Sequence, residues 1–247
     1  MQINFLFKTL VGCLALLLAH QFVMSQSANK NSTTIYLIPG QGSDARLFQD
    51  LSFDTNFTIK HIKYQTPSKK MTMNQLAQAL SNQIDTNQPF ILIGVSLGGM
   101  LATEMTTFLN PQKTIIISSA KNRKELPAQY RFQKTIPIYK LAPKRLAKFG
   151  AKVLQPIVEP DRRHNKETFK AMLNDKDPKF LKRTIEIIIR WERLESPKNI
   201  EHIHGTKDHT IPYRNVDCIH TINKGSHMMA LTRAEEISVL LNQLLRK

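Results

Sequence analysis

The 247-residue sequence predicts an α/β protein, a mostly parallel sheet flanked by helices and interrupted by a helical insertion. Three observations lead there. Strand-like apolar runs alternate with helical periodicity along most of the chain, with no internal repeat. One strand, at residues 90–93, passes through a glycine-flanked turn around a single serine, Gly94-Val95-Ser96-Leu97-Gly98, into a helical run at 100–109. The stretch 121–196 then breaks the alternation: it is helix-rich, has no strand-like run and is punctuated by Pro127, Pro137, Pro143, Pro156, Pro160 and Pro178.

The elements follow in order. Residues 34–38 are β-branched and apolar, a short first strand running into Pro39-Gly40-Gln41-Gly42-Ser43. A helical run at 44–51 follows. Residues 57–64 alternate Phe57, Ile59 and His61 with polar neighbours and read as a strand. Met73, Leu76, Ala77, Leu80 and Ile84 recur at helical spacing. After the serine turn and its helix, 113–117 is the next apolar strand. In the insertion, helices are expected at 126–132, 143–154, 166–173 and 178–194, where Trp191 and the aliphatic run 185–189 pack the insertion. The sheet resumes at 199–204, turns at Gly205-Thr206-Lys207-Asp208, and ends on a strand at 216–222 that carries Asp217 and a core Cys218. The final helix, 232–244, carries Ile237, Leu240, Leu241 and Leu244 on one face and starts with Thr232 and Glu235 spaced as a capping box. Residues 28–120 and 197–247 thus form one core, with 121–196 a cap across the carboxyl edge of the sheet.

Residues 1–27 are assigned separately. Lys8 precedes an almost wholly apolar run at 9–19 and a small polar stretch ending Ser25-Gln26-Ser27, the pattern of a secretory signal peptide. The chain is therefore expected to be exported, periplasmic or secreted. An uncleaved membrane anchor is the alternative, and Leu10-Val11-Gly12-Cys13 resembles a lipoprotein box, although the apolar core continues past Cys13. Cys218 is then alone in the mature chain, so no intrachain disulfide is available. Asn31-Ser32-Thr33 and Asn56-Phe57-Thr58 match the glycosylation tripeptide.

Charge is the second compositional bias. Lys and Arg number 35 against 19 Asp and Glu, a formal +16. Residues 121–195 hold 20 basic and 9 acidic residues, a net +11, so most of the excess lies in the insertion. Concentrated positive charge suits an anionic substrate or peripheral contact with an anionic membrane surface; a solvated basic face is the competing reading. Nucleic acid is not expected, since neither zinc-finger spacing nor an aromatic RNA-binding signature is present. Arg162 and Arg163, beside His164 on a proline-bounded turn, are the candidate substrate contacts, because guanidinium binds carboxylate or phosphate bidentately.

The chemistry-bearing residues fall in the order Ser96, Asp208, His227, each after a predicted strand. Parallel strands present such loops at one sheet edge. A serine hydroxyl needs an imidazole to take its proton, and the imidazole needs a carboxylate to hold its tautomer. Two N–H donors must meet the developing oxyanion; the backbone N–H groups of Gln41 and Leu97 are the candidates. Asp217 is the rival carboxylate. His202 and His204, one face of a strand, with His209, are a rival metal set. His61 and His220 are read as structural.

Pro39-Gly40-Gln41-Gly42, Gly94-Val95-Ser96-Leu97-Gly98, His204-Gly205-Thr206-Lys207-Asp208-His209-Thr210-Ile211-Pro212 and Gly225-Ser226-His227 together resemble the α/β-hydrolase fold superfamily. The resemblance covers nearly all of the mature chain, with 121–196 in the place of the cap. Pro39 stands where many relatives have histidine, which leaves the backbone donor intact. The resemblance implies a serine hydrolase acting on a carboxylic ester through an acyl-enzyme, without metal or organic cofactor, on a small-molecule ester. Acyl transfer on the same machinery and a non-catalytic ligand-binding homologue are the alternatives.

Overall fold

The computed structural model describes residues 33–135 and 165–246. The expected signal peptide at 1–27, the expected helix at 143–154 and the candidate contacts Arg162, Arg163 and His164 lie outside the described residues.

Six strands form one sheet: β1 (Thr33–Ile38), β2 (Phe57–His61), β3 (Phe90–Val95), β4 (Lys113–Ile117), β5 (Ile200–Gly205) and β6 (His220–Ile222). Their order is β2-β1-β3-β4-β5-β6 and every pairing is parallel. Between them run α1 (Met73–Ser81), α2 (Leu97–Met105), α3 (Ala128–Thr135), α4 (Lys166–Asn174), α5 (Pro178–Ile189), α6 (Met229–Thr232) and α7 (Ala234–Arg246). All six residues of β3 are buried, as expected of a central parallel strand covered on both faces.

The two-residue period of the strands divides the core. Tyr36, Ile38, Leu92 and Ile116 face one side, against Leu76 and Leu80 of α1, Leu101 and Met105 of α2, and Ile187 and Ile188 of α5. Ile35, Leu37, Ile91, Ile93, Ile115, Ile117 and Ile203 face the other, against Phe169 and Met172 of α4 and Ile237 and Leu241 of α7. The described helices of the insertion therefore pack on both faces of the sheet. Trp191 is buried with the first group, as its assignment to packing requires.

Helix ends follow local chemistry. Thr72 caps α1, its hydroxyl accepting from the Gln75 N–H while Gln75 reaches back to the Thr72 N–H. Pro178 opens α5, where its missing N–H costs nothing, and the Asp177 carboxylate accepts from the Lys179 N–H.

Four sequence expectations are corrected. The helical run at 44–51 is a single 3-10 turn, Ala45–Phe48, capped by Asp44. The expected strand at 216–222 is reduced to β6, because the chain first makes a 3-10 turn at Tyr213–Asn215 and meets the edge of the sheet from Ile219 onward, where Ile219 N–H donates to His202 O. Asp217 and Cys218 consequently precede β6: Asp217 is exposed and Cys218 half-buried, not a core strand residue. The final helix is broken at Arg233 (φ −134°, ψ 39°), so Thr232 ends α6 with its hydroxyl on Met228 O and forms no capping box. The long helix at 178–194 stops at Ile189, and the indole N–H of Trp191 donates instead to Glu104 of α2.

Glu104 joins the insertion to the core. Its Oε1 accepts from Trp191 Nε1 at 2.9 Å and Arg193 Nε at 2.7 Å, with the carboxylate side chain 8% exposed. Glu104→Ala strands both donors, and the cost expected is about 3 kcal/mol, with Glu104→Gln losing less. Urea unfolding of the two variants beside wild type measures the difference.

Candidate active site

Because all six strands are parallel, the loops after β1, β3, β4, β5 and β6 emerge at one edge of the sheet, and the site is built from them. Ser96 follows β3 directly and adopts φ 53°, ψ −119°, a left-handed conformation costly for a residue with a side chain. The turn is held from three sides. Ser96 N–H donates to Ile117 O of β4. Ser96 O accepts from Gly99 N–H, Met100 N–H and the Ser119 hydroxyl, the last at 2.7 Å. A Cβ on Gly98 would lie 2.0 Å from Ile38 O, so only glycine lets α2 start this close to the end of β1.

His227, after β6, places Nε2 2.9 Å from Ser96 Oγ. Its Nδ1 lies 2.8 Å from Asp208 Oδ2. Asp208 is buried, and its other oxygen accepts from the N–H groups of Thr210 at 2.9 Å and Ile211 at 2.8 Å. Three hydrogen-bond contacts thus surround a carboxylate withdrawn from water, as a buried polar group requires. The acid and histidine loops are joined directly: Lys207 N–H donates to Gly225 O, and a Cβ on Gly205 would meet that same oxygen at 2.2 Å.

The Pro39–Gly40–Gln41 loop lies against the serine, since a Cβ on Gly40 would sit 3.2 Å from Ser96 Cβ. Within the described residues no hydrogen bond occupies the backbone N–H of Gln41 or Leu97. The loop is held from outside. Tyr64 Oη donates to Pro39 O at 2.8 Å, and Gln41 Nε2 donates to Leu181 O and Thr184 Oγ1 of α5, each at 2.8 Å. Neither anchor was evident from sequence. The ordering of Tyr64 and Thr184 around a loop 23 and more residues away is a tertiary fact that local patterns do not carry.

Of the remaining candidates, Asp217 faces solvent and pairs with Lys121 Nζ at 3.7 Å, away from His227. His202 and His204 are fully buried while His209 is exposed. Among the described residues no cluster of His, Cys, Asp or Glu could hold a metal ion. His220 pairs with Glu201 of the neighbouring strand at 2.8 Å, and His61 packs on Phe48.

Solved structures similar to this one share its architecture across most of their length. A lipase-esterase related protein from Clostridium acetobutylicum is 15% identical with a TM-score of 0.63, covering 87% of this chain and 95% of its own. The enol-lactonase of Burkholderia xenovorans is 14% identical with a TM-score of 0.66, covering 88% and 92%. The fold is that of the α/β-hydrolases. A thermophilic esterase from Thermogutta terrifontis, with malate bound, shares the α/β-hydrolase fold at 14% identity and TM-score 0.60, covering 87% and 90%. The sequence profile of the Uncharacterised protein family (UPF0227) matches residues 46–137, from the turn after β1 into the insertion after β4. None of the curated proteins matches the sequence.

The buried histidines carry a signature in stability. Burial pushes the His202 imidazole down to about 3, with His204 and Lys121 adding to the effect. Burial also lowers His204, with Asp208 opposing. Both groups bind a proton in the unfolded chain near pH 6.5 but stay neutral when folded. Stability is therefore complete above about pH 6.5 and falls as pH drops toward 3, by up to about 1.4 kcal/mol per pH unit for His202, with His204 acting in the same direction. Urea midpoints across that range should show the slope, and His202→Phe should flatten it.

Proposed function

We propose that this chain is an exported serine hydrolase that cleaves a carboxylic ester through an acyl-enzyme. The observation that carries the reading is the hydrogen-bonded series Ser96 Oγ, His227, Asp208 at a left-handed turn between β3 and α2. Ser96 Oγ attacks the ester carbonyl while His227 Nε2 takes its proton. Asp208 holds Nδ1–H and stabilises the imidazolium. The backbone N–H groups of Leu97 and Gln41 receive the oxyanion, each donor worth about 3 kcal/mol of barrier. His227 then returns the proton to the leaving alkoxide, and a water activated by the same imidazole releases the acid. The esterase and lactonase names of proteins sharing the fold support ester chemistry over other acyl substrates. The N-terminal leader pattern supports export, and the insertion at 121–196 is assigned to cap the site.

Ser96→Ala is expected to abolish covalent labelling by a fluorophosphonate and to lower p-nitrophenyl ester turnover by several orders of magnitude. Asp208→Asn should lower turnover severely with the fold retained, while Asp217→Asn stays near wild type. A dead Asp217→Asn beside an active Asp208→Asn would reverse the assignment of the acid.

The net +11 of residues 121–195 supports a negatively charged or lipid-like substrate. The double variant Arg162→Ala/Arg163→Ala should then lower kcat/KM for an anionic ester and spare a neutral one. Added salt should do the same, since exposed charges are screened over about 8–10 Å at physiological ionic strength. Equal, salt-independent effects on both esters would reduce the basic stretch to surface solvation.

A further inference from the structure

The proposed reaction leaves two buried imidazoles unused. His202 and His204 are each 0% exposed and share one face of β5, immediately before the turn that carries Asp208. At positions that packing alone would fill with aliphatic side chains, two polar rings are costly unless their nitrogens are bonded.

Their bonds have a direction. His204 Nε2 lies 2.9 Å from Ile211 O. A carbonyl only accepts, so Nε2 carries the proton and Nδ1 is bare. His202 Nε2, 3.1 Å from that Nδ1, is then the donor to it. The rings meet edge to face, with centroids 5.1 Å apart. The tautomer of His204 is thereby set from behind, as the tautomer of a metal-bound or catalytic imidazole is set by the partner of its second nitrogen.

The same His204 Nε2 stands 3.4 Å from Asp208 Oδ2, the oxygen that holds His227, with both side chains fully buried. The circuit closes through Ile211, whose N–H donates to Asp208 Oδ1 while its carbonyl accepts from His204. Asp208 is therefore clamped at one oxygen by the backbone of its own turn, and the turn is clamped by His204. A neutral donor does this without adding a positive charge that would oppose the imidazolium of His227.

We propose that His204 is a positioning residue for the ester hydrolysis assigned to Ser96, acting through Asp208, with His202 fixing its tautomer. The proposal rests on that functional reading, and its test includes a measurement independent of turnover.

His204→Leu removes the donor, and His204→Gln replaces Nε2–H with an amide N–H of similar reach. Steady-state kinetics on a p-nitrophenyl ester should show kcat lower by about tenfold in the leucine variant, the scale of one lost hydrogen bond, with KM unchanged and the glutamine variant restored. Proton NMR of the full chain should show the low-field resonance of the His227 Nδ1–H···Asp208 bond displaced in His204→Leu and retained in His204→Gln. Wild-type kcat and resonance in His204→Leu, or equal impairment of the two variants, overturns the positioning role. If wild type hydrolyses no ester, the functional reading fails, and the resonance alone decides whether His204 orients the pair. Should His204→Leu lack a cooperative melt, His204→Asn, one methylene too short to reach Ile211 O, takes its place in the comparison.

Discussion

The left-handed backbone at Ser96 is the constraint around which the other parts of the site are arranged. A non-glycine residue at φ 53° stays there only when its surroundings over-determine it. Here they do so through β4 on one side, the first turn of α2 on the other and the Ser119 hydroxyl beneath. The position of that hydroxyl depends in turn on Gly99, where a Cβ would stand 2.4 Å from Ser119 Oγ. The local conformational cost is thus distributed over the pairing of three central strands whose residues are almost all buried. Loosening the sheet at β4 would release the serine before it released the fold.

Electrostatically the edge is graded. The carboxylate of Asp208 is withdrawn from water but surrounded by donors, and behind it stand two imidazoles that burial keeps uncharged. Lys121, whose charge acts on His202, is itself turned to the Asp217 carbonyl and side chain. The acid therefore meets neutral donors on one side and a single titratable imidazole, His227, on the other. That asymmetry directs its stabilising effect toward the ring that touches Ser96.

Much of this was legible in the sequence, for a physical reason. The turns that carry Ser96 and Asp208 and the loop that carries His227 each follow a strand, and a parallel sheet delivers such loops to one place without further information. The two proposed oxyanion donors are backbone groups, so their candidacy needs only a loop and a helix start. What local pattern could not supply was tertiary competition. Trp191 leaves helical register because Glu104 offers its indole a partner. The strand expected from Val216 onward is held off the sheet until His220 by a turn at Tyr213. Thr232 and Glu235 have capping-box spacing, yet the hydroxyl bonds backward to Met228 because the chain has already made a turn of helix after His227. His202 and His204 suggested metal only because their spacing shows a shared face and not what that face meets.

The two hydrogen bonds from the Gln41 amide to α5 bear on how the insertion can vary over evolutionary time. Insertions between β4 and β5 are modular: a different one can be accommodated so long as the sheet closes behind it. In this chain the exchange is not free, because the loop after β1 leans on a carbonyl at Leu181 and a hydroxyl at Thr184. A replacement segment that lacks a short hydroxyl-bearing side chain about two turns into its sheet-facing helix would leave the amide of Gln41 without these partners. Drift in the insertion and drift in the loop are therefore expected to be correlated at these positions.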